Sequence, residues 1–346
     1  MQLLRHLLTS ATLALIATAA SANDIQVVPV THTDGSSSQP EVYLAGEITE
    51  ETVTQLSVLI RERKLQSSIL YLDSAGGDPQ AGMDLGDLLR RSNINTAVGK
   101  VGRAPGRPAA GKCQSACVLT YAGGKFRFID PAAQLGIHRF YRRTATATDL
   151  DVAQVLSAAI TAYLIRMDID PALFQRMVKV GRGQMELLSA RDALALNLVN
   201  NGLLPARWGI EGKSGSVYLR GEQETWNGTG KIIMTCVPNQ KTIKISALYD
   251  AGAQNASIAK STVTYSLRVN QRFIPIGQML AKASISGSYL LASFIPTDPM
   301  MWEINAADKI GFGFHAGQAE TFYGFLVDAT GEQDLIRSWV KHCTER

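Results

Sequence analysis

Apolar and polar positions along the chain fall into two regimes. From Val42 to Val199, short apolar runs alternate with stretches of helical period. Val42-Tyr43-Leu44-Ala45-Gly46 reads as a strand. A helix follows, with Thr49 as N-cap, Glu50 and Glu51 at its positive end, and Val53, Leu56 and Ile60 on one face. Ile69-Leu70-Tyr71-Leu72 is a continuous apolar run, as in a strand buried on both faces. After a glycine turn, Asp78 caps a second helix with Pro79 at its first position and Ala81, Leu85, Leu88 and Leu89 inward. The order then repeats, with a strand near Thr96 to Val101, a loop, a short helix from Ser115 to Gly123-Gly124, and strands near Phe126–Ile129 and Leu135–Phe140. A long helix spans Asp149 to Met167 with Val152, Val155, Leu156, Ala159 and Tyr163 on one side, and a last helix covers Ala190–Leu196. Alternation of this kind predicts an α/β layer with crossover helices over residues 40–204.

Past a Gly/Pro-bearing stretch at 205–216, read as a linker, the period changes to two. Lys231-Ile232-Ile233-Met234, Thr242-Ile243-Lys244-Ile245-Ser246 and Gly311-Phe312-Gly313-Phe314 predict strands, and Gln333–Lys341 predicts a closing helix. Residues 217–346 therefore read as a smaller β-rich domain with one terminal helix. The length suffices for two domains, each with its own core.

The start of the chain sets the expected compartment. Arg5 precedes an apolar run from Leu7 to Ala19, and Ala20-Ser21-Ala22 has the small-x-small form of a cleavage site. That run falls short of the ~20 residues a bilayer core requires. Residues 1–22 are accordingly read as a signal peptide, with no stable membrane span after cleavage and a periplasmic or secreted mature protein. Residues 23–39, with Thr31-His32-Thr33-Asp34-Gly35-Ser36-Ser37-Ser38, read as a flexible lead.

Charge and cysteine content narrow the classes. A net charge of +4, one unit of it from Arg5, is too mild for a nucleic-acid or anionic-membrane partner. The one basic cluster, Lys100, Arg103, Arg107 and Lys112, reads as a solvated loop. The histidines lack zinc-ligand spacing and no CxxC pair is present, so neither metal nor cofactor is expected. Gly106-Arg-Pro-Ala-Ala-Gly111-Lys112-Cys113 approaches a phosphate loop, but Cys113 stands where a magnesium-ligating hydroxyl is needed and proline stiffens the loop. Four cysteines in an exported chain suggest disulfides. Cys236 and Cys343, the two in the second domain, are expected to pair, and closing so long a loop stabilises by up to ~4.7 kcal/mol. Cys113 and Cys117 would need unusual geometry for an i,i+4 bridge at a helix start.

For chemistry, elimination leaves few candidates. After the leader the histidines are His32, His138, His315 and His342, and His138 alone shares a layer with a strand–turn–helix junction bearing a serine, Cys113-Gln114-Ser115-Ala116-Cys117. A serine at the first helical turn has free N–H groups and a favourable dipole for a developing oxyanion. It still needs a base in reach, and by itself Ser115 could equally be an N-cap. A second glycine-bearing turn, Asp73-Ser74-Ala75-Gly76-Gly77-Asp78, follows a buried strand and turns N–H groups inward.

Taken together, Leu72–Gly82, Gln114–Gly123, Leu135-Gly136-Ile137-His138 and Leu187–Val199 resemble, in order and spacing, the Clp protease proteolytic subunit and its crotonase-fold relatives. Within that likeness the chain resembles an exported bacterial Clp-like group with a Ser-Ala-Cys motif. The resemblance implies a ββα superhelical domain, with Ser115 as nucleophile, His138 as general base, and the Gly77 and Ala116 N–H groups as oxyanion hole. Where the family places its catalytic Asp, this chain has Met185 followed by Glu186. Loss of that Asp costs a serine protease about 10⁴ in rate. Glu186, Asp149 and Asp151 are the candidate substitutes, with Glu186 turned away if its segment is a strand. A Ser–Lys dyad through Lys112 or Lys125 is the other option.

Two functions follow as expectations. The first is an ATP-independent serine hydrolase, a peptidase acting on peptides or small unfolded proteins; the second is a Clp-like fold serving as a periplasmic binding protein. Homo-oligomerisation stays open under both. Cleavage after Ala22 predicts that protein from a periplasmic fraction has the mass of a chain beginning at Asn23. Recovery of uncleaved chain in the inner membrane would refute export with processing.

Overall fold

The computed structural model describes residues 24–29, 40–65, 67–104, 106–140, 149–181, 183–213, 215–317 and 322–345. The expected leader, 1–22, lies outside these residues, as does most of the expected lead. The chain divides into two compact units at Val199/Asn200.

The first unit is mixed α/β. Its main sheet holds β1 (Asp24–Val28), β2 (Glu41–Ala45), β3 (Ile69–Asp73), β4 (Asn95–Val98) and, beyond a hairpin β5 (Lys100–Ala104) and β6 (Arg107–Ala109), β8 (Arg127–Ile129). The order is β1-β2-β3-β4-β8, with β2, β3, β4 and β8 parallel and β1 antiparallel at the edge. A second sheet joins β7 (Lys112–Gln114), β9 (Gln134–Ile137) and β10 (Glu186–Leu187). A Ser74–Cys113 bridge ties the end of β3 to β7. Helices α1 (Glu50–Arg63), α2 (Pro79–Arg91), α3 (Ala116–Ala122), α4 (Asp149–Arg166), α5 (Ala172–Lys179) and α6 (Ala190–Ala195) cover the sheets. Thr49 and Asp78 cap α1 and α2 with their side chains, as their sequence positions predict. Leu44, Leu70, Leu72, Leu85, Leu89 and Leu119 lie in one fully buried core.

Several expectations are corrected here. The lead is partly ordered, because the alternating Asp24–Val28 finds the open edge of β2. The basic Gly/Pro segment forms the β5–β6 hairpin instead of a loop, which also removes the phosphate-loop reading. Helix α5 was not anticipated, and His138 falls just past β9 instead of on it. On α4, Val152 and Val155 are exposed, while Ile160, Tyr163 and Leu164 are fully buried. Only the C-terminal half of that helix packs on the core.

Two contacts hold the helices in place. Helices α2 and α3 meet backbone to backbone: a Cβ on Gly123 would lie 2.3 Å from Gly86 Cα, and one on Gly82 would lie 2.6 Å from Ala116 O. The Tyr163 hydroxyl crosses over Gly86 to donate to Leu119 O at 2.6 Å, and burial pushes its pKa up. The second contact is electrostatic. Arg127, 2% exposed, donates to Leu198 O, Gly124 O and Asn197 O at 2.8–2.9 Å. Burial pulls its pKa down to about 10, which still leaves it charged at neutral pH. Arg90 adds bonds to Gly123 O and Met167 O. The two guanidiniums thus satisfy carbonyls at the ends of α3, α4 and α6 that no helix could satisfy internally.

The second unit is β-rich. Strands β11 (Arg207–Lys213), β12 (Ser216–Thr225), β13 (Gly228–Cys236), β14 (Ile243–Asp250), β17 (Ala281–Ser286) and β18 (Tyr289–Phe294) form a six-stranded antiparallel sheet, with β18 between β14 and β17. Strands β15 (Thr262–Val269), β16 (Arg272–Pro275), β19 (Lys309–Ala316) and β20 (Phe322–Asp328) form a four-stranded one, in the order β16-β15-β19-β20. Leu219, Ile232, Ile245, Phe294, Phe312 and Phe314 are buried in its core. The stretch expected to be a linker is instead β11, paired with β12 along its full length. Besides the expected terminal helix, α9 (Gln333–Thr344), the unit has α7 (Asn255–Ser261) and α8 (Asp298–Asn305). A disulfide joins Cys236 at the end of β13 to Cys343 in α9, as expected.

Replacing Gly123 by Ala forces a methyl group into backbone. The expected loss is at least ~1–3 kcal/mol in urea denaturation, the cost of overpacking a filled interior. Unchanged stability would show that α2 and α3 can separate freely.

Candidate functional site

The site is built where two turns meet. After β3 the chain makes the Gly76-Gly77 turn into α2; after β7 it makes a one-residue turn at Ser115 into α3. Ser115 has φ 56° and ψ −127°, a conformation that costs a non-glycine residue about 1–3 kcal/mol. The strain is held from both sides. Ser115 N–H donates to Gly136 O at 2.9 Å, and Val118 N–H donates to Ser115 O at 3.0 Å. Gly76 lies against it with φ +111°, and a Cβ there would be 2.7 Å from Ser115 Cβ. No other residue combines that backbone with that clearance. Ser74, 1% exposed, braces the turn by accepting from Gly76 N–H at 3.1 Å and donating to Gly46 O at 2.5 Å.

The amides around Ser115 divide into used and unused. Ile48 N–H donates to Gly76 O, and Asp78 N–H donates to Ile48 O. By strand alternation, the Gly77 N–H therefore points away from Ile48. Among the described residues neither Gly77 N–H nor Ala116 N–H has an acceptor. Ser115 itself does not cap α3 with its hydroxyl, so the N-cap reading of this serine does not describe its side chain.

A disulfide between Cys113 and Cys117, Cα atoms 5.2 Å apart, closes a five-residue ring around Ser115. Both cysteines are fully buried. The sequence left this pair undecided, and the turn at Ser115 is what brings the i,i+4 thiols together.

His138 lies two residues past Gly136, whose carbonyl holds Ser115. Its Nδ1 is 2.7 Å from Arg139 O. A carbonyl only accepts, so this bond requires the proton on Nδ1 and leaves Nε2 with its lone pair in neutral imidazole. Among the described residues no hydrogen bond joins Ser115 Oγ to His138, a bond that catalytic pairs often complete only around substrate.

The candidate acids are engaged elsewhere or lie outside the described side chains. Glu186 pairs across the ladder with Ile137, and its carboxylate is 2.6 Å from Arg176. Asp192 takes the same guanidinium at 3.1 Å, and the two hydrogen-bonded carboxylates hold the Arg176 pKa above its usual value. Glu186, one of the three candidate substitutes, thus ties α5 to β10 through Arg176. Met185 fills the space beside Gly136, its Sδ 2.9 Å from where a Cβ would sit. Asp151 is exposed on α4, and the Asp149 side chain lies outside the described residues. Lys125 lies over the Phe126 ring at 5.9 Å. A surface concavity of about 560 Å³, lined by Ile60, Arg61, Leu65 and Arg91 among others, is elsewhere, at the ends of α1 and α2. It holds no histidine, cysteine or carboxylate, so the Ser115 geometry and not that hollow locates the candidate chemistry. Among the described residues no His/Cys/Asp/Glu group could hold a metal, and no helix is long and apolar enough to cross a membrane.

No protein-family model matches the chain. No curated protein matches it either. Among solved structures it is similar to that of a ClpP1 mutant from Listeria monocytogenes, with 17% sequence identity, a TM-score of 0.35, and coverage of 46% of this chain and 88% of that one. A likeness of that size carries no argument about fold or activity, and the activity has to be argued from the site.

Proposed function

We propose that the first unit is a Clp-like serine hydrolase, an ATP-independent peptidase of the periplasm or exterior, with Ser115 as nucleophile and His138 as base. The observation that carries this reading is the strained backbone of Ser115 against Gly76, bracketed by the Cys113–Cys117 bridge. Capping does not explain such a conformation, because the Ser115 hydroxyl makes no cap hydrogen bond. A nucleophile held out at a strand–helix turn does explain it.

In this mechanism Ser115 Oγ attacks the substrate carbonyl carbon while His138 Nε2 takes the hydroxyl proton. The carbonyl oxygen becomes an oxyanion held by Gly77 and Ala116 N–H. Collapse breaks the scissile C–N bond, and His138 returns the proton to the leaving amine. Water then repeats the sequence on the acyl-enzyme, releasing the acid and restoring Ser115. The Arg139 carbonyl orients the ring as a triad carboxylate would. It carries no full negative charge and stabilises the imidazolium less than a carboxylate in the same place. Two oxidised cysteine pairs support an oxidising compartment, hence export and independence from ATP.

A second reading, a Clp-like fold acting as a binding protein, is favoured by one observation, the Glu186–Arg176 pair, which engages with a guanidinium one of the three carboxylates named as candidate substitutes. A fluorophosphonate probe separates the two. Labelling of wild type is expected, abolished by Ser115→Ala and reduced severely by His138→Ala, with circular dichroism unchanged. Glu186→Gln should label within about twofold of wild type, since its partner is a partly exposed arginine in an ion pair of modest worth. Absence of labelling in wild type, or labelling of Ser115→Ala, would leave the binding reading.

A further inference from the structure

We propose that the second unit binds a carboxylate group attached to an apolar or aromatic body, at a site formed by Arg268, Ser266, His315, Phe273 and Phe322 on the four-stranded sheet.

Strand pairing brings these residues to one face. Arg268 stands opposite Phe273 on β16 and opposite Gly311 on β19. Ser266 stands opposite Gly313, and His315 opposite Phe322 on β20. Side chains at alternate positions share a face, so Arg268 and Ser266 lie on the side opposite the buried Leu267 and Val269. The residues touch as well as align. The Arg268 guanidinium is 5.0 Å from the Phe273 ring centroid and 5.2 Å from that of Phe322. Phe273 meets Phe322 at 4.8 Å and His315 at 5.5 Å, both edge-on. His315 Nε2 is 2.7 Å from Ser266 Oγ. Gly313 supplies the room, since a Cβ there would be 2.6 Å from Ser266 Oγ and 3.0 Å from His315 Nε2.

Arg268 is the feature that calls for a ligand. Its Nε is buried with no hydrogen-bond partner, and among the described residues the guanidinium forms no ion pair. Elsewhere the same unit pairs Arg220 with Glu211 and Glu222, and Arg272 with Glu303. Burial depresses the Arg268 pKa, and the two ring faces offset part of that cost. An arginine kept partly dry, stacked and unpaired presents its planar fork to an oxyanion.

The surroundings select among oxyanions. Burial and Arg268 both oppose protonation of His315, so the cluster holds one positive charge at neutral pH, which matches a monoanion better than a dianionic phosphate. Phe273 and Phe322, 41% and 40% exposed, offer the ligand an apolar wall beside that charge. Ser266, 2% exposed, keeps its hydroxyl on His315 Nε2 and so fixes the imidazole beside the charge. A carboxylate with an apolar neighbour, as at the end of a peptide chain with a hydrophobic last residue, meets both the guanidinium and the rings. The site lies wholly in the second unit and does not depend on Ser115 chemistry.

The test is titration calorimetry of the full chain, in the wild-type and Ser115→Ala forms, with N-acetylphenylalanine, its primary amide and inorganic phosphate. The carboxylate should bind, and the amide should bind at least ~10-fold more weakly, as loss of a charge-assisted hydrogen bond requires. Arg268→Gln should weaken the carboxylate by a similar factor, and Phe273→Leu should weaken it while leaving the preference over the amide. Equal binding of acid and amide in wild type would overturn the proposal without reference to any variant. So would phosphate binding more tightly than the carboxylate, no binding of the acid at millimolar concentration, or unchanged affinity in a folded Arg268→Gln.

Discussion

The first unit depends on the closeness of α2 and α3. With glycine at 82, 86 and 123, the two helices approach until backbone touches backbone. Each helix starts at a turn of the candidate site, α2 directly after Gly76-Gly77 and α3 directly after Ser115. Setting the distance between the helices therefore sets the distance between the turns. Gly76 then reaches the Ser115 Cβ, and among the described residues the amides of Gly77 and Ala116 are left without acceptors. Side chains at the contact would part the helices by a methyl or more, and the turns would part with them.

Charge secures the opposite ends of the same helices. Arg127 and Arg90 gather the terminal carbonyls of α3, α4 and α6, so peptide dipoles surround a buried cation. The arrangement at His138 is chemically related, with a carbonyl on Nδ1 where a carboxylate would give a stronger field. Arg268 leans only on aromatic faces among the described residues. Three sites in one chain thus sit at three levels of compensation, and the least compensated is the one open to a ligand.

Disulfides act at two scales. Cys236–Cys343 spans 107 residues and ties the closing helix of the second unit to β13, a long-loop constraint on the unfolded chain. Cys113–Cys117 spans four and has little loop entropy to remove. Its effect is local, to hold a left-handed serine between two buried positions.

Much of the first unit was legible in the chain because its signals are local. Thr49 and Asp78 announce helix starts, Ile69–Leu72 a strand, of which Leu70 and Leu72 alone are fully buried, and the Gly76-Gly77 and Ser115 turns are punctuated by their own residues. Pairing of Cys236 with Cys343 followed from where the other cysteines lie. Other features required partners in another element. Asp24–Val28 becomes a strand only because β2 has a free edge, and β11 replaces an expected linker because β12 pairs with it. Val152 and Val155 have helical spacing, yet no described neighbour arrives to bury them. Glu186 belongs to Arg176, ten residues upstream, through the packing of α5 that periodicity did not reveal. Ser266, Arg268, Phe273, His315 and Phe322 come from four strands, and only sheet register makes them neighbours. Sequence determined the elements, since caps, turns and apolar period act within a few residues; tertiary structure decided which charges find partners, since that depends on how separate elements pack and register against one another.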